Sequence, residues 1–343
     1  ITGNVALGTA RGASTNTALT TTGGGSLVVQ NVTTPPTSFV VGGVTSAAAQ
    51  GNKAIVDLSG LSNLTVELNT TSGVFRVNPA NANNVSDKYS VLTLPSTGAG
   101  TTTITTNSLN VGDSAQNNNS AGQINQLKLG TGVNTLNANT VNLGSGVLDI
   151  GSSTCNTASG SVVLRAADGT SRAAFNIGTG SANTGVGIAS PNTFDVSGHN
   201  ANLLISTLTI GGQNRNADRT DNFTFDTGTL DATTVVVGTN TGSATGSVSS
   251  IWTSNLNLGG GNTVIGTGGL DISRGATAVT GTDTLVGNLN ISGTASVTVA
   301  NNTTFGAAIR MSNNTIASGL TANSNINITG GSLTVAGHIL KGV

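Results

Sequence analysis

The chain has 343 residues, of which Gly, Thr, Asn and Ser make up 182, while charged residues are only 7 % and aromatic residues 3 %. Most of those four rank low as helix formers, so a helical protein is excluded, and 12 Lys+Arg against 13 Asp+Glu leave a net charge of −1 and no basic field for nucleic acid. Five prolines, that near-neutral balance and recurrent Val, Ile and Leu also separate the chain from disordered polymers.

Ile1 opens no basic and apolar leader, so the chain is expected to be a mature product or an internal piece of something longer. Residues 1–50 are expected to be a less regular N-terminal part, with Thr34-Pro35-Pro36-Thr37 marking a loop. Beyond it one unit recurs: an apolar–x–apolar triplet closed by Gly, Ser, Thr or Asp. It occurs at Leu109–Gly112, Leu127–Gly130, Val141–Gly144 and Leu148–Gly151, then at Leu208–Gly211, Phe223–Asp226, Leu256–Gly259 and Leu270–Ser273, and finally at Leu289–Ser292, Ile326–Thr329 and Leu333–Ala336. Alternation over three to five residues between Gly, Asn or Ser is the period of a half-buried strand. No run of 18 apolar residues occurs, so no membrane-spanning helix is expected.

Short strands with sharp corners can stack as hairpins or as coils of a solenoid. Asn-Gly is the strongest hairpin signal, yet the chain has none and only one Asp-Gly, at Asp168-Gly169. Avoidance of Asn deamidation would also explain the missing pair. Wide corners that accept Gly and Asn at φ > 0 suit a parallel solenoid better. There, inward aliphatic residues stack as ladders, and outward Asn, Thr and Ser can bond along the axis. A longer echo, Leu127-Lys-Leu-Gly with Leu256-Asn-Leu-Gly and Leu109-Asn-Val-Gly with Val235-Val-Val-Gly, suggests a superrepeat of several coils. Gaps between the units are short, with spacings of seven such as Phe223 to Leu230 and Ile326 to Leu333, and coils of roughly 20 residues would make a rod of roughly 17 coils and about 80 Å. The apolar run Leu333–Val343 suggests a segment that stacks against more of the same.

These units, with Leu258-Gly-Gly-Gly-Asn-Thr263, Val56-Asp-Leu-Ser-Gly-Leu61 and Phe223–Ala232, resemble the β-helical passenger regions of bacterial surface proteins, nearest the autotransporter-associated β-strand repeat class. Filamentous-haemagglutinin-like adhesins are more distant, since Asn78-Pro79-Ala80-Asn81 departs from their Asn-Pro-Asn-Gly turn. The resemblance implies a right-handed parallel β-helix, export from a Gram-negative bacterium and a role at the cell surface.

Side chains suited to chemistry are few. His199 and His338 stand alone, without Cys or Glu at ligand spacing, so no zinc site is expected. Gly211–Asp218 and Gly259–Thr263 miss the Asp of a calcium β-roll. Gly178–Gly185 lacks the ending of a phosphate loop. Cys155 has no partner Cys and reads as a small hydrophobe. Arg215, Asp218, Arg219 and Asp221, with Asp226 beyond, form the densest charged cluster. It reads as a solvated loop or, alternatively, as the groove of a polysaccharide lyase or hydrolase, which would need paired carboxylates. Asp168 with Arg172, and Asp271 with Arg274, read as corner ion pairs, and Trp252 as partial core rather than a sugar platform. Asn-x-Ser/Thr sites such as Asn31, Asn63, Asn69, Asn222 and Asn290 follow from composition. Thr101–Thr106 suggests an ice-binding array but is not repeated on every coil.

The sequence thus predicts an all-β, right-handed parallel β-helix forming one elongated rod over residues 1–343. Its expected role is extracellular, non-catalytic and structural or adhesive, with a β-helical polysaccharide lyase or glycoside hydrolase as the alternative. No catalytic, cofactor or metal residue is assigned. The expected partners are further repeats, a second copy, or a host or matrix glycan or protein.

Overall fold

The computed structural model describes residues 1–7, 16–42, 53–77, 89–98, 100–112, 123–144, 151–156, 159–178, 191–212, 218–240, 249–275, 282–313 and 319–342. Among them there is no helix, and every strand pairing is parallel. The strands form one sheet of 10 and one of 16. The chain is a parallel β-solenoid. No helix is long and apolar enough to cross a membrane.

The ten-stranded sheet contributes one strand to each coil, from Asn16–Thr20 to Leu320–Ile328. The sixteen-stranded sheet bends into two limbs. On its near limb run Ser26–Val29, Asn63–Glu67 and their successors to Ser332–Val335; on its far limb run Val5–Leu7, Ser38–Val41 and their successors to Ile339–Lys341. Five long strands, Thr101–Val111, Val133–Leu143, His199–Ile210, Gly228–Asn240 and Asn262–Gly275, pass around the bend and belong to both limbs.

Register partners on the ten-stranded sheet run from Ala18 through Ile55, Val91, Gln126, Thr154, Thr193, Asn222, Asn255 and Asn288 to Asn325. A coil is therefore about 34 residues, and ten rungs at about 4.8 Å give a stack of about 48 Å. This corrects the expected 20-residue coil. Phe223 lies in the ten-stranded sheet and Leu230 on the near limb, with only Asp226-Thr227 between their strands. Ile326 and Leu333 repeat that relation. A spacing of seven is thus one corner of one coil and not the distance between coils. The long echo is real at this larger scale. Leu127 reaches Leu256 through Cys155, Phe194 and Phe223, and Leu109 reaches Val235 through Val141, Phe175 and Leu208, four register steps in each case.

The core follows from the alternation. On the near limb Val66, Ile104, Leu136, Leu164, Leu203 and Leu230 occupy one register column, each buried. Phe39 and Phe75, partners on the far limb, stack with centroids 4.8 Å apart and planes 2° from parallel. Each aliphatic or aromatic side chain thus covers the one on the next coil, and burial of a whole Leu or Phe is worth about 1.5–3 kcal/mol.

Candidate functional site

The charged cluster is divided by the strand it lies on. Along Arg219–Phe225 the side chains alternate buried and half-buried, with Arg219, Asp221, Phe223 and Phe225 inward. Arg219 donates from Nε to Asp221 Oδ1 at 2.8 Å, with side-chain exposures of 2 % and 4 %. Asn192, one coil earlier and also buried, donates from Nδ2 to the same Oδ1 at 2.6 Å. A charge pair so far from water survives because geometry and additional hydrogen bonds offset its desolvation.

Asp221 has room because two glycines leave it. Gly178 and Gly211 close consecutive far-limb strands at φ +67° and +70°. A Cβ on Gly178 would lie 2.2 Å from Asp221 Oδ2, and one on Gly211 would lie 2.0 Å from Ser254 Oγ. Beyond Asp221, Trp252 packs on Leu285 in a small apolar cluster of its own, so its indole is core. Between Arg219, Asp221, Trp252, Ser254 and Leu285 lies a cavity of about 10 Å³, room for about one water molecule and too small for a sugar.

The other members of the cluster lie elsewhere. Asp218 precedes the strand, and its Oδ1 accepts the Ile251 N–H of the next coil at 2.8 Å. It borders an open depression of about 340 Å³ with Pro191, Thr220, Ile251 and Thr253. Asp226, past the far end of the strand, accepts the Gly198 N–H at 3.0 Å. At about 3.3 Å per residue, Asp218 and Asp226 are about 26 Å apart along the chain, and Asp221 faces the opposite side from both. Glycoside hydrolysis needs two carboxylates about 5–9.5 Å apart across one bond, and these three do not converge. Arg215 lies outside the described residues, as do residues 78–81, residues 179–185 and the side chain of Cys155.

Of the expected corner pairs, Asp271–Arg274 is present as a long contact and Asp168–Arg172 is corrected. Asp168 accepts from the Thr170 and Ser171 amides and the Ser171 hydroxyl, which hold its carboxyl down at about 2. Arg172 instead forms a bidentate pair with Asp231, with nitrogen–oxygen distances of 2.9 and 2.8 Å. Asp271 takes its bidentate partner from Arg310, one coil on, and Arg274 is 4.0 Å away. The Phe305 ring covers Arg310 at 3.6 Å. Alternation in Arg-x-Asp-x-Phe-x-Phe already signals that Arg219 and Asp221 share the inward face of the two phenylalanines, whereas Asp231 and Arg310 are too distant in sequence to be paired by spacing.

Two further ionisable groups are buried. His199 is fully enclosed at the corner between Asp195 and Asp226, and burial pushes its imidazole below the usual range despite Ser197 and Gly130 backbone acceptors. Asp283 accepts the Ser250 N–H at 2.9 Å, and burial raises its carboxyl. Among the described residues no group of three or more His, Cys, Asp or Glu could hold a metal ion.

The outer faces carry amide ladders. Asn255 donates to Asn222 at 2.8 Å, Asn288 to Asn255 at 2.7 Å and Asn325 to Asn288 at 2.8 Å. A parallel file links Asn327 to Asn290 and Asn290 to Asn257, both at 2.8 Å. The far limb repeats the device through Asn110, Asn142 and Asn176. Asn222 and Asn290, two of the sequon asparagines, are therefore ladder members, while Asn31 and Asn69 each cap a turn through Oδ1. Of the outward threonines in Thr101–Thr106 only Thr103 aligns with further threonines, Thr65 and Thr135, while Thr101 and Thr105 face Asn63 and Val133, and Glu67 and Asn137.

No family model, curated protein or solved structure matches the chain.

Proposed function

We propose that this chain is an extracellular, non-catalytic β-solenoid acting as a structural or adhesive rod at a bacterial cell surface, extended by further repeats or by self-association. The observation that supports it most is the continuity of register over ten strands, with aliphatic columns inside and amide ladders outside. Each strand is hydrogen-bonded to the coils on either side, so bending or local opening must break several bonds at once. That is the property a stiff, protease-resistant filament element needs. The likeness to β-helical passenger regions, and low charge on faces rich in Asn and Thr, point the same way.

The enzymatic alternative would have to use Asp218, the acidic group beside the open depression. Purified chain, incubated with acidic and neutral polysaccharides, is expected to release no reducing ends or unsaturated products. Turnover that disappears in Asp218→Ala would replace the proposal with a lyase or hydrolase. Negative-stain images are expected to show rods or filaments that survive limited proteolysis; compact, rapidly digested particles would count against it.

A further inference from the structure

The last four strands of the ten-stranded sheet, Arg219–Phe225, Ile251–Leu258, Asp283–Ile291 and Leu320–Ile328, present an outer face unlike the rest of the molecule. Its outward positions include Thr220, Asn222 and Thr224; Thr253, Asn255 and Asn257; Val286, Asn288 and Asn290; and Asn323, Asn325 and Asn327. None is charged. Earlier coils place Asp57, Lys128 and Asp195 on the same side of the sheet. Coil length is constant across the middle of the patch, 33 residues from Asn222 to Asn255 and 33 again to Asn288, so the face is regular as well as neutral.

We propose that this face is a lateral docking surface for the same face of a second copy of the chain. The proposal rests on the self-association named above and assigns its location. An amide in mid-ladder, such as Asn255 or Asn288, donates one N–H to the preceding coil and accepts one from the next. Its second N–H and second carbonyl lone pair are left facing outward. A flat lattice with donors and acceptors in equal number and no charge is complementary to itself, which is what a two-fold contact requires. The face offers a sugar no aromatic platform, because Phe223, Phe225 and Trp252 all point inward. Four strands of seven to nine residues cover about 500 Å² per copy. The pair then buries about 1,000 Å², the lower bound for a specific contact, so a single contact is weak and repetition along a longer rod would multiply it.

Sedimentation velocity from about 10 µM to about 1 mM brackets such an affinity. The wild-type chain is expected to dimerise reversibly in that range. Val286→Lys and Val286→Glu each place a charge in the patch without touching an amide ladder. Each is expected to weaken association at least about tenfold with an unchanged melting curve, and an equimolar mixture is expected to restore it. Thr253→Lys is a second variant should Val286→Lys not fold. If wild-type chains associate and the charge variants do so equally, or the mixture restores nothing, the face is wrong while self-association stands. A wild-type chain that remains monomeric overturns this docking and the self-association clause together, and leaves the rod to its imaging and proteolysis test.

Discussion

At position 221 a carboxylate faces inward in a column of buried polar side chains, Asn192 one coil before it and Ser254 one coil after, and its neighbours decide whether that is tolerable. Asn192 and Arg219 both reach Oδ1, and Gly178 withholds the atom that would collide with Oδ2. Asp221→Ala strips a buried Arg of its carboxylate and is expected to cost about 3–5 kcal/mol in chemical denaturation. The paired change Arg219→Met with Asp221→Leu is expected to recover most of that loss, because a buried ion pair is often no more stable than well-packed apolar side chains. A double variant as unstable as the single one would show that the pair holds the lumen together in its own right. His199 gives a second test at this scale. The imidazole titrates near about 6.5 when unfolded and lower in the fold, so between those values the unfolded chain binds the extra proton. Its contribution to stability is full above the unfolded pKa and falls as pH drops towards the folded one. Urea midpoints measured from pH 7.5 to 5 are expected to decline in the wild type and to flatten in His199→Gln. Equal slopes in the two proteins would refute the assignment.

An individual strand here is too short to be stable alone, and the columns it joins supply the stability. Phe223 lies 5.1 Å from Phe194 and 5.9 Å from Phe175, ring centre to ring centre, with no exposure. Phe223→Ala is expected to cost about 3–5 kcal/mol. Asn255→Ala removes two ladder bonds at a half-buried site and is expected to cost about 1–2 kcal/mol. Thermal melts that rank the two in the opposite order would mean that the amide ladders, and not the lumen, dominate the rod. Strand type was legible in the sequence because inward and outward positions alternate without interruption in stretches such as Phe223-Thr-Phe and Leu256-Asn-Leu. The amide ladders were legible as a tendency, since outward Asn recurs, but their alignment depends on coil length, which local spacing does not reveal. The charged cluster misled for a physical reason: charges crowded in sequence read as a solvated loop, yet a strand sends alternate side chains to opposite faces, which buries Arg219 and Asp221 and leaves Asp218 and Asp226 more than 20 Å apart at about 3.3 Å per residue.

Coil length is the property of the whole molecule that corner spacing concealed, and it can be tested by subtraction. Removing Phe223–Asn255 deletes 33 residues, the interval between Asn222 and its register partner. Asn222 would then precede Leu256, so the outward amide is followed by an inward aliphatic as before, and Asn288 meets Asn222 where it had met Asn255. On the limbs Leu203 would face Thr263 and Leu208 would face Leu270, the partners that Leu230 and Val235 now hold. Every face keeps its phase, and in a repeat array where each coil contacts only its neighbours the loss is one coil and one interface. The shortened chain is expected to keep the β-type circular dichroism spectrum and a cooperative, somewhat lower melting transition. A deletion of 20 residues from the same point, 223–242, matches the coil length expected from the sequence. It removes Gly228–Asn240, the one strand that serves both limbs of that coil, but leaves the following ten-stranded-sheet strand, so consecutive strands would have to occupy one face with no crossover between them. That protein is expected to aggregate or to lose cooperative melting. If the shorter deletion folds and the 33-residue one does not, the register described here is wrong, and with it the alignment of every ladder on the rod.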